Sequence, residues 1–579
     1  MKTGRSKTVR ASQWIAMLFA VCTVQAADGV GGKASAAAAV SQRPMVVTAA
    51  NTLAVQAGID VLRKGGDAVD AAIAVQAMLG LVEPQSSGVG GGAFMLRFDA
   101  KTQHIEVYDG RETAPAAATA RMFLDDASQP LPRGEAMLSG RSTGVPGVIA
   151  MLALAHREHG KLPWSQLFDA AARQADAGFT ISPRLDRFVH GSFPQATAPD
   201  VAAYFTKPDG ERVHTGDTLK NPAYAAFLRR LGAEGAAALY QGSVAQAIAD
   251  RLNQGAHPAG MTTADLAAYR PVKREAVCMP HGVYQLCSTP PPGSGVGLLQ
   301  LMSMLEGTDI AKLGPADPQS WYLFAEASRI MYADRDAWIG DPGFVSVPAK
   351  GLLDSSYVAR RRALIGKRAG AAPVAGTPPG SETPRVDATK ESAGTSHFVI
   401  VDGQGNAVAM TTTVESFFGS GRMVAGFFLN NEMTDFSFVP EGPNVVAPGK
   451  RPRSSMSPTI ILDRQGRLLG ALGSPGGNAI PAYVGKALVG ALDWGLPMQQ
   501  AIDLPNLVAR GSQFIGEGSK MPEAVVRGLA ERGVVVGTGG GEDSGLHGVL
   551  WRNGQWDGGA DSRREGQVMT AEPAAAVAR

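Results

Sequence analysis

Hydrophobic and polar positions near the start of the chain predict two consecutive helices. Asn51 precedes the amphipathic run TLAVQAGIDVLRK, which stops at Gly65 and Gly66. Asp67 then opens a second run, AVDAAIAVQAMLGLV, which ends before Pro84. Asparagine and aspartate side chains accept hydrogen bonds from the unpaired amides of a first helical turn, and glycine readily ends a helix. We therefore predict one helix after Asn51 and another after Asp67.

Glycines and short apolar segments dominate the next stretch. The run PQSSGVGGGAFMLRF places a glycine-rich turn before an apolar segment, and IEVYDGRETAP predicts a short strand that ends near Arg111. The cluster Gly88–Gly92 lacks the lysine and hydroxyl residue of a P-loop and the spacing of a dinucleotide fingerprint. We therefore expect these glycines to permit close backbone packing rather than phosphate binding.

The pattern changes twice along the rest of the chain. Residues 141–364 are mainly helical in pattern, whereas residues 369–391 are rich in proline, glycine and alanine, which predicts a mobile, exposed segment. Two hairpins follow, formed by HFVIVD and AVAMTTT around GQGN and by TIILD and LLGALGS around RQGR. Helices combined with these strands predict a layered α/β unit.

Length and composition indicate a globular protein with a large core. The chain has 579 residues, of which 45% are hydrophobic and 18% charged, and this composition excludes a fibrous or a disordered protein. No residue cluster in the sequence indicates a metal or an organic cofactor.

The N-terminus has the features of a secretory signal peptide. Four basic residues lie between Lys2 and Arg10, an uncharged run spans residues 14–24, and Ala26 offers a small-residue cleavage site. We expect residues 1–26 to be removed on export to the periplasm or the exterior, with an uncleaved anchor as the alternative. Because this segment holds four basic and no acidic residues, its removal changes the formal charge from +2 to −2. Nothing in the charge then favours binding to nucleic acid or to a membrane.

Two cysteines remain once the leader, with Cys22, is removed. Cys278 and Cys287 flank the run MPHGVYQL, which predicts a turn between two short strands. We expect a cross-strand disulfide in an oxidising compartment. A metal site with His281 is the alternative, although no further cysteine or histidine cluster would complete it.

A threonine that follows a glycine carries the most informative chemistry. Thr395 comes after Gly394 in the run KESAGTSHFVIVD, between the predicted mobile segment and a predicted strand. Cleavage before Thr395 would give it a free α-amine, and that amine can act as the base for its own hydroxyl. One residue would then supply both nucleophile and base, although a Gly-Thr pair alone is also typical of an ordinary strand start.

Ten short motifs occur in a particular order along the chain. They are NTLAVQAG, GGDAVDAAIA, SSGVGGGAF, GRETAP, GVPG, PPPGSG, GTSHFVIVD, LNNEMTDFS, KRPRSSMSPT and GSPGG. In this set the chain resembles the gamma-glutamyltransferases of the N-terminal-nucleophile hydrolase superfamily, over nearly everything after the leader. The resemblance implies a four-layer αββα sandwich and self-cleavage between Gly394 and Thr395. Residues 27–394 would form a large subunit and residues 395–579 a small catalytic subunit, and the two would stay together.

The resemblance also implies the reaction and the residues that perform it. Thr395 would attack the γ-carbonyl of glutathione or another γ-glutamyl amide, and the acyl group would then pass to water or to an amino acid or peptide. Backbone amides of Gly476 and Gly477 would hold the developing oxyanion, and the hydroxyl of Thr413 would support the nucleophile. Which acceptor predominates stays open.

The implied substrate site matches the two charges of a γ-glutamyl group. Arg111 would bind the α-carboxylate with help from the hydroxyls of Ser454 and Ser455. Three acidic residues would surround the α-ammonium: Glu415, Glu432 and Asp435.

Two departures from the family pattern bear on this site. Many members have asparagine at the position of Glu415, and glutamine is common at that of Glu432, so we expect a competent but more negative site. The segment between Asp435 and Ser454 is shorter than in members with a lid loop. We therefore expect an open cleft that admits bulky acceptors or γ-glutamyl polymers.

Two other functions remain possible at this stage. A cephalosporin acylase of the same fold would remove a glutaryl group, which lacks the α-ammonium that the three carboxylates would bind. The other possibility is an exported protein that binds γ-glutamyl peptides without processing itself. The intact set of Thr395, Thr413, Gly476 and Gly477 disfavours it.

Overall fold

The structure is a computed structural model that describes residues 43–381, 387, 389, 391, 394–538 and 544–572. These residues belong to the larger of the two units into which the chain's contacts divide, residues 42–579. The predicted signal peptide, residues 1–26, lies outside the described residues.

The secondary structure alternates between helical stretches and antiparallel strands. The strands are β1 (Met45–Ala49), β2 (Gly92–Asp99), β3 (His104–Asp109), β4 (Phe179–Thr180), β5 (Thr218–Leu219), β6 (Val272–Glu275), β7 (Val277–His281), β8 (Tyr284–Ser288), β9 (Gly394–Val401), β10 (Ala407–Glu415), β11 (Met423–Val424), β12 (Phe427–Phe428), β13 (Thr459–Asp463), β14 (Leu468–Gly473), β15 (Leu507–Arg510), β16 (Gln513–Gly516), β17 (His547–Arg552), β18 (Gln555–Ala560) and β19 (Gln567–Ala571). The α-helices are α1 (Thr52–Arg63), α2 (Ala68–Val82), α3 (Arg133–Leu138), α4 (Val148–His159), α5 (Asp169–Ala177), α6 (Pro183–Val189), α7 (Pro199–Tyr204), α8 (Pro222–Glu234), α9 (Ala237–Tyr240), α10 (Gly242–Leu252), α11 (Thr263–Ala268), α12 (Gly295–Glu306), α13 (Ile310–Leu313), α14 (Pro318–Trp338), α15 (Ala349–Leu352), α16 (Ser355–Arg362), α17 (Ile480–Leu488), α18 (Met498–Asp503) and α19 (Glu523–Glu531).

Both predicted helices at the start of this region are confirmed, together with their caps. The side chain of Asn51 accepts a hydrogen bond from the Leu53 amide, and Asp67 accepts from the amides of Val69 and Asp70. The carboxylate of Asp70 in turn accepts from the Asp67 amide, which completes a capping box.

Two antiparallel sheets form the centre of the molecule. Seven strands lie in the order β19-β1-β9-β10-β2-β3-β6, and six lie in the order β18-β17-β14-β13-β8-β7. Each sheet combines strands from both sides of the Gly394–Thr395 bond. A chain cut at that bond would therefore keep its two pieces joined through both sheets.

Alternating side chains on the strands form separate cores on the two faces of each sheet. Val399 on β9 packs between the sheets with Ile460 on β13 and Val549 on β17. The neighbouring residues Phe398 and Ile400 face the helices on the other side of their sheet. This alternation is what a sheet buried on both faces requires.

Helices cover the outer face of each sheet. On the seven-stranded sheet, α1 packs on β1 and α2 packs on β9 and β10; on the six-stranded sheet, α12 packs on β7 and β8, and α17 on β14. The layers are therefore helix, sheet, sheet and helix, which confirms the expected αββα sandwich. Among the helices of the described ranges, none is both long and apolar enough to cross a bilayer.

The two cysteines lie opposite each other on neighbouring strands. Cys278 on β7 is the register partner of Cys287 on β8, and their sulfurs are bonded. His281 contacts the carboxylate of Asp493 instead of a metal-ligating cysteine, with 2.8 Å between Nε2 and Oδ1. The structure thus contains the disulfide and not the metal site of the alternative interpretation.

The segment predicted to be exposed, residues 369–391, is only partly so among its described residues, and residues 382–386, 388 and 390 lie outside the described part. Residues 369–381 carry no helix or strand and are largely exposed. Asp387 and Glu391, in contrast, are buried. The prediction is wrong for these two residues because Arg453 attracts both carboxylates and Arg335 also attracts that of Glu391, and both arginines are buried and distant in the chain.

The glycine cluster before β2 allows close backbone packing, as expected. A Cβ atom on Gly91 would lie 1.9 Å from the carbonyl oxygen of Thr413, and one on Gly90 would lie 2.2 Å from that of Phe428. Gly88 has much more room, since its nearest non-adjacent atom would be 3.9 Å from an added Cβ.

Gly88 and Gly91 belong to the same loop but differ in the room for a side chain, so an alanine at each position tests how closely Gly91 packs against β10. We expect Gly91→Ala to lower the free energy of unfolding by about 1–3 kcal/mol, because the backbone of β10 must shift. Gly88→Ala should stay close to wild type in urea denaturation. Equal stability of the two variants would contradict the packing described here.

Candidate active site

The hairpin of β9 and β10 brings the two predicted catalytic threonines together. Thr395 and Thr413 are direct register partners, and Thr395 is only 3% exposed. The Thr395 hydroxyl donates to Oγ1 of Thr413 over 3.1 Å, and the Thr413 hydroxyl donates to the Gly394 carbonyl oxygen over 2.7 Å. Two hydroxyls therefore connect the candidate nucleophile to the carbonyl of the peptide bond that precedes it.

Further contacts hold this pair of hydroxyls in place. The Glu415 amide donates to Thr413 Oγ1 over 2.8 Å, and Arg564 donates to the Thr395 carbonyl over 2.9 Å. Arg564 is a site residue that the sequence alone did not indicate. Its partner is a backbone carbonyl, which leaves no trace in a sequence motif.

Gly394 is required by packing as well as by access to its carbonyl. An added Cβ would lie 2.4 Å from the carbonyl oxygen of Ser416 and 2.8 Å from that of Glu415. Any other residue at position 394 would push β9 away from the end of β10.

Nearly all of the predicted site residues line one cavity. It has a volume of only about 10 Å³, and it is lined by Arg111, Glu391, Thr395, Thr413, Glu415, Glu432, Asp435, Ser454, Ser455, Met456, Gly477 and Ile480. Gly476 adjoins Gly477 in a tight turn, with φ of 133°, and an added Cβ would lie 2.6 Å from the ring of Tyr483. That backbone conformation and that contact both require glycine.

The volume of this cavity is smaller than that of the open cleft that we expected. Ligand pockets commonly measure roughly 300–1,000 Å³, and in this uncut chain the Glu391 side chain lies in the site. The short segment after Asp435 is also held down, because Asn444 donates to the Asp435 carbonyl and Phe438 stacks on Phe123. An open cleft remains a prediction for the cut enzyme only.

All three nitrogens of the Arg111 guanidinium already donate hydrogen bonds to other groups of the chain. Its Nη1 donates to Glu432, its Nη2 donates to Asp435 over 2.8 Å and to the Arg453 carbonyl over 2.7 Å, and its Nε donates to the Pro452 carbonyl over 3.2 Å. Burial, which leaves Arg111 1% exposed, opposes its positive charge, but its acidic neighbours outweigh this effect and raise its pKa. A substrate carboxylate must therefore compete with Glu432 and Asp435 for this arginine.

The acidic residues around Arg111 have raised pKa values. Burial raises the pKa of Glu432 well above its usual value, and the nearby Glu112, Asp435 and Glu415 carboxylates raise it further against the opposing effect of Arg111. Burial and Glu391 likewise raise the pKa of Asp435. These carboxyl groups therefore take up protons at a higher pH than exposed acids do.

Glu415 reaches the site through an unusual backbone conformation. It ends β10 at an irregularity in the strand pairing, with φ of 77°, in the left-handed region that residues other than glycine rarely adopt. Asn431 donates to its carboxylate, and Arg133 lies 3.6 Å from it. Such strain at a site residue is typical of functional positions.

Ser454 and Ser455 lie at the other side of the cavity. The Ser454 hydroxyl accepts from the Met456 amide over 3.2 Å, and the Ser455 hydroxyl accepts from Arg335 over 2.7 Å. The Ser455 amide donates to the Glu391 carboxylate over 2.7 Å. The two serines are thus placed to bind an anion, and a carboxylate of the chain itself already uses one of their amides.

Two groups of histidine and acidic side chains elsewhere are close enough to hold a metal ion. They are Asp186 with His190 and His214, and Glu106 with Glu158 and His159. Neither group contributes a residue to the cavity around Thr395.

Whole-chain comparisons agree with this geometry. Residues 54–571 match the family model described as Gamma-glutamyltranspeptidase. The glutathione hydrolase proenzyme of Bacillus subtilis (strain 168) is 35% identical over 537 residues, which cover 90% of this chain and 91% of that protein. The acylase ACY 1 proenzyme of Pseudomonas sp. (strain SE83) is 34% identical over 500 residues, which cover 85% and 87%.

A solved structure extends the likeness to three dimensions. The crystal structure of cephalosporin acylase from Bacillus halodurans superimposes with a TM-score of 0.80 and 26% identity, covering 91% of this chain and 96% of that one. Fold and comparisons place the protein among the sandwich proteins of the N-terminal-nucleophile hydrolase type. Within that class, the chain belongs to the gamma-glutamyltranspeptidase family.

The carboxylates around Arg111 give a pH prediction. Burial raises the pKa of Glu112 from its usual 4.5 to about 8. Between these values the folded chain holds a proton that the unfolded chain releases, so the free energy of unfolding should fall as pH rises, by up to about 1.4 kcal/mol per pH unit. Urea denaturation across this range should show a shallower fall for Glu112→Gln. Exposed Glu531 provides the control, Glu531→Gln, which should follow wild type. An unchanged slope in Glu112→Gln would contradict the assignment.

Proposed function

We propose that the protein is a self-processing gamma-glutamyltransferase and glutathione hydrolase with Thr395 as its nucleophile. The observation that carries the proposal is the connection from the Thr395 hydroxyl through Thr413 to the Gly394 carbonyl. Its curated relatives are named as proenzymes, which supports processing of a precursor.

In self-cleavage, the same hydroxyls would act on the chain itself. Thr395 Oγ1 attacks the Gly394 carbonyl carbon as its proton passes to Thr413 Oγ1, and Thr413 passes its own proton to the Gly394 carbonyl oxygen. The carbon–nitrogen bond then breaks, the released Thr395 nitrogen takes up the proton, and an ester remains. Water hydrolyses this ester to leave a carboxylate on Gly394 and a free N-terminal Thr395.

In turnover, the new α-amine takes over the role of base. It removes the proton from the Thr395 hydroxyl, which attacks the γ-carbonyl of the donor, and it returns the proton to the departing amine. The amides of Gly476 and Gly477 are proposed to stabilise the oxyanion, and Gly477 lines the cavity. Water gives hydrolysis of the acyl-enzyme, and an amino acid or peptide gives transfer.

Substrate recognition would use exchange of ion pairs. The α-carboxylate of a γ-glutamyl group can replace an acidic partner of Arg111, and its α-ammonium can pair with the acid that is displaced. A zwitterion keeps the charge of the site balanced during this exchange. The substrates proposed are glutathione and other γ-glutamyl compounds.

A glutaryl acylase is the second candidate, and specific findings favour keeping it. One relative is named an acylase, and a structural neighbour is a cephalosporin acylase. A glutaryl group carries a carboxylate but no ammonium. It would bring a carboxylate to Arg111 but no ammonium to pair with the acid that it displaces, so we favour the γ-glutamyl donor.

We also propose export of the protein, with residues 1–26 as the signal peptide. The basic start and short uncharged run of the sequence support this. The disulfide of Cys278 and Cys287 supports an oxidising compartment such as the periplasm or the exterior.

The proposed activity is tested by the turnover of two donors. Purified wild-type protein should release aniline from a γ-glutamyl anilide, with kcat/KM at least about tenfold above that for the glutaryl anilide, because an unmatched buried charge is costly. Thr395→Ala should be inactive on both. A preference for the glutaryl donor would assign the acylase function, and turnover of either donor by Thr395→Ala would remove Thr395 as the nucleophile.

The role of Thr413 in processing has a neighbouring control on the same strand. Thr413→Val keeps the side-chain shape but loses the hydroxyl, and we expect self-cleavage to slow about 100-fold or more, as for loss of an oxyanion donor. Thr412 is also buried, with its hydroxyl 3.4 Å from the Gly92 carbonyl. Thr412→Val should process at close to the wild-type rate on a denaturing gel. Equal processing of both variants would contradict the proposed relay.

A further inference from the structure

Two fully buried arginines lie behind the serines of the site. The Arg335 and Arg453 side chains are 0% exposed and come from α14 and from the segment before β13. Burying an unpaired guanidinium is costly, so such groups require anionic partners. Asp336 and Glu391 contact both arginines, and Asp387 contacts Arg453.

The Glu391 carboxylate occupies the most enclosed position in this cluster. One oxygen accepts from Nη2 of Arg335 and, over 3.3 Å, from Nε of Arg453, and the other accepts from the Ser455 amide over 2.7 Å. Although burial opposes ionisation, the two arginines lower the pKa of Glu391 to about 2. A carboxylate anion is therefore bound here in the uncut chain.

This carboxylate is also part of the cavity around Thr395. Glu391 is three residues before Gly394, so it lies on the piece that the proposed cleavage would end, and it lines the same cavity as the nucleophile. It therefore occupies space next to Thr395 that a substrate needs.

The charges balance only while this segment is present. Arg335, Arg453 and the neighbouring Arg510 face the carboxylates of Asp336, Asp387 and Glu391. Two of those three carboxylates belong to the segment before the cleaved bond. If that segment leaves, Asp336 is the one carboxylate among the described residues that still contacts the three arginines in this cluster.

We propose that Arg335, Arg453 and the Ser455 amide form a carboxylate-binding subsite, which Glu391 fills before cleavage and a substrate carboxylate fills afterwards. The proposal rests on the proposed function for the timing of cleavage and for the identity of the substrate. The chain's own segment thus acts as an internal occupant that keeps substrate out until Thr395 is released. The carboxylate that replaces it belongs either to the γ-glutamyl donor or to the acyl acceptor.

Arginine modification tests the subsite without depending on turnover. Cut wild-type protein and uncut Thr395→Ala protein are treated with phenylglyoxal, with and without L-glutamate or glutarate, and modified arginines are located by peptide mass spectrometry. We expect Arg453 to react in the cut protein, to be protected there by either dicarboxylate, and to stay unmodified in the uncut protein. Exposed Arg467 should react in both. Equal reaction of Arg453 in cut and uncut protein, or no protection, would overturn the proposal.

The kinetics of two variants then test the role of the subsite and the role of Glu391, its internal occupant, one at a time. Arg453→Gln and Glu391→Gln remove the same ion pair from opposite sides. In cut enzyme, Arg453→Gln should raise the KM for the substrate whose carboxylate fills the subsite, about tenfold or more, with a smaller change in kcat. Glu391→Gln should keep the wild-type KM, because Glu391 has left the subsite. Arg453→Lys should recover part of the loss. An unchanged KM in Arg453→Gln, or a lowered KM in Glu391→Gln, would contradict the proposal.

The kinetic test also identifies the source of the carboxylate. A raised KM for γ-glutamyl anilide in hydrolysis assigns the subsite to the donor. A raised KM for glycylglycine, with that for glycylglycinamide unchanged, assigns it to the acceptor's carboxylate. Failure of the wild-type enzyme to use any γ-glutamyl donor would contradict the proposed function. Protection of Arg453 from phenylglyoxal by glutarate would, even then, show that the subsite binds a carboxylate.

Discussion

The pairing of β9 with β10 is the constraint on which the rest of the site depends. Its register sets Thr395 opposite Thr413 and points the Thr413 hydroxyl at the Gly394 carbonyl. Glycines make this approach possible, because a side chain at Gly91 or Gly394 would collide with the backbone of β10 or of the residues that follow it. Both sheets and their helical layers bury this hairpin, in which the hydroxyl of Thr413 connects the weak nucleophile Thr395 to the Gly394 carbonyl.

Balanced charge is the second organising feature. Around Arg111, several buried acids share one guanidinium and have raised pKa values. Around Arg335 and Arg453, two arginines keep Glu391 ionised. Both arrangements are stable only with partners present, since a buried charge without a partner is costly. In the first the proposed partner is a zwitterionic substrate, and in the second the chain supplies its own. The uncut chain thus has a site that is already occupied and electrically neutralised.

The sequence predicted the features that depend on local patterns or on motifs. The capped helices after Asn51 and Asp67 and the hairpin carrying Thr395 follow from local periodicity and turn residues, and the αββα sandwich follows from the family resemblance. What could not be predicted depends on groups far apart in the chain: Glu391 is buried by arginines 56 and 62 residues away. The proline-rich composition around it indicates exposure, and this local signal is overridden by distant charge. The saturation of Arg111 by its acidic neighbours likewise requires the folded arrangement.

The most direct test of the central claim is a mass measurement on the acyl-enzyme. Purified protein is mixed with a γ-glutamyl anilide, quenched in acid during turnover, and the N-terminal peptide of the smaller piece is sequenced by mass spectrometry. The account predicts a peptide that begins at Thr395 and carries one γ-glutamyl group on that residue. A smaller piece that begins elsewhere, or a γ-glutamyl group attached to another side chain, would contradict it.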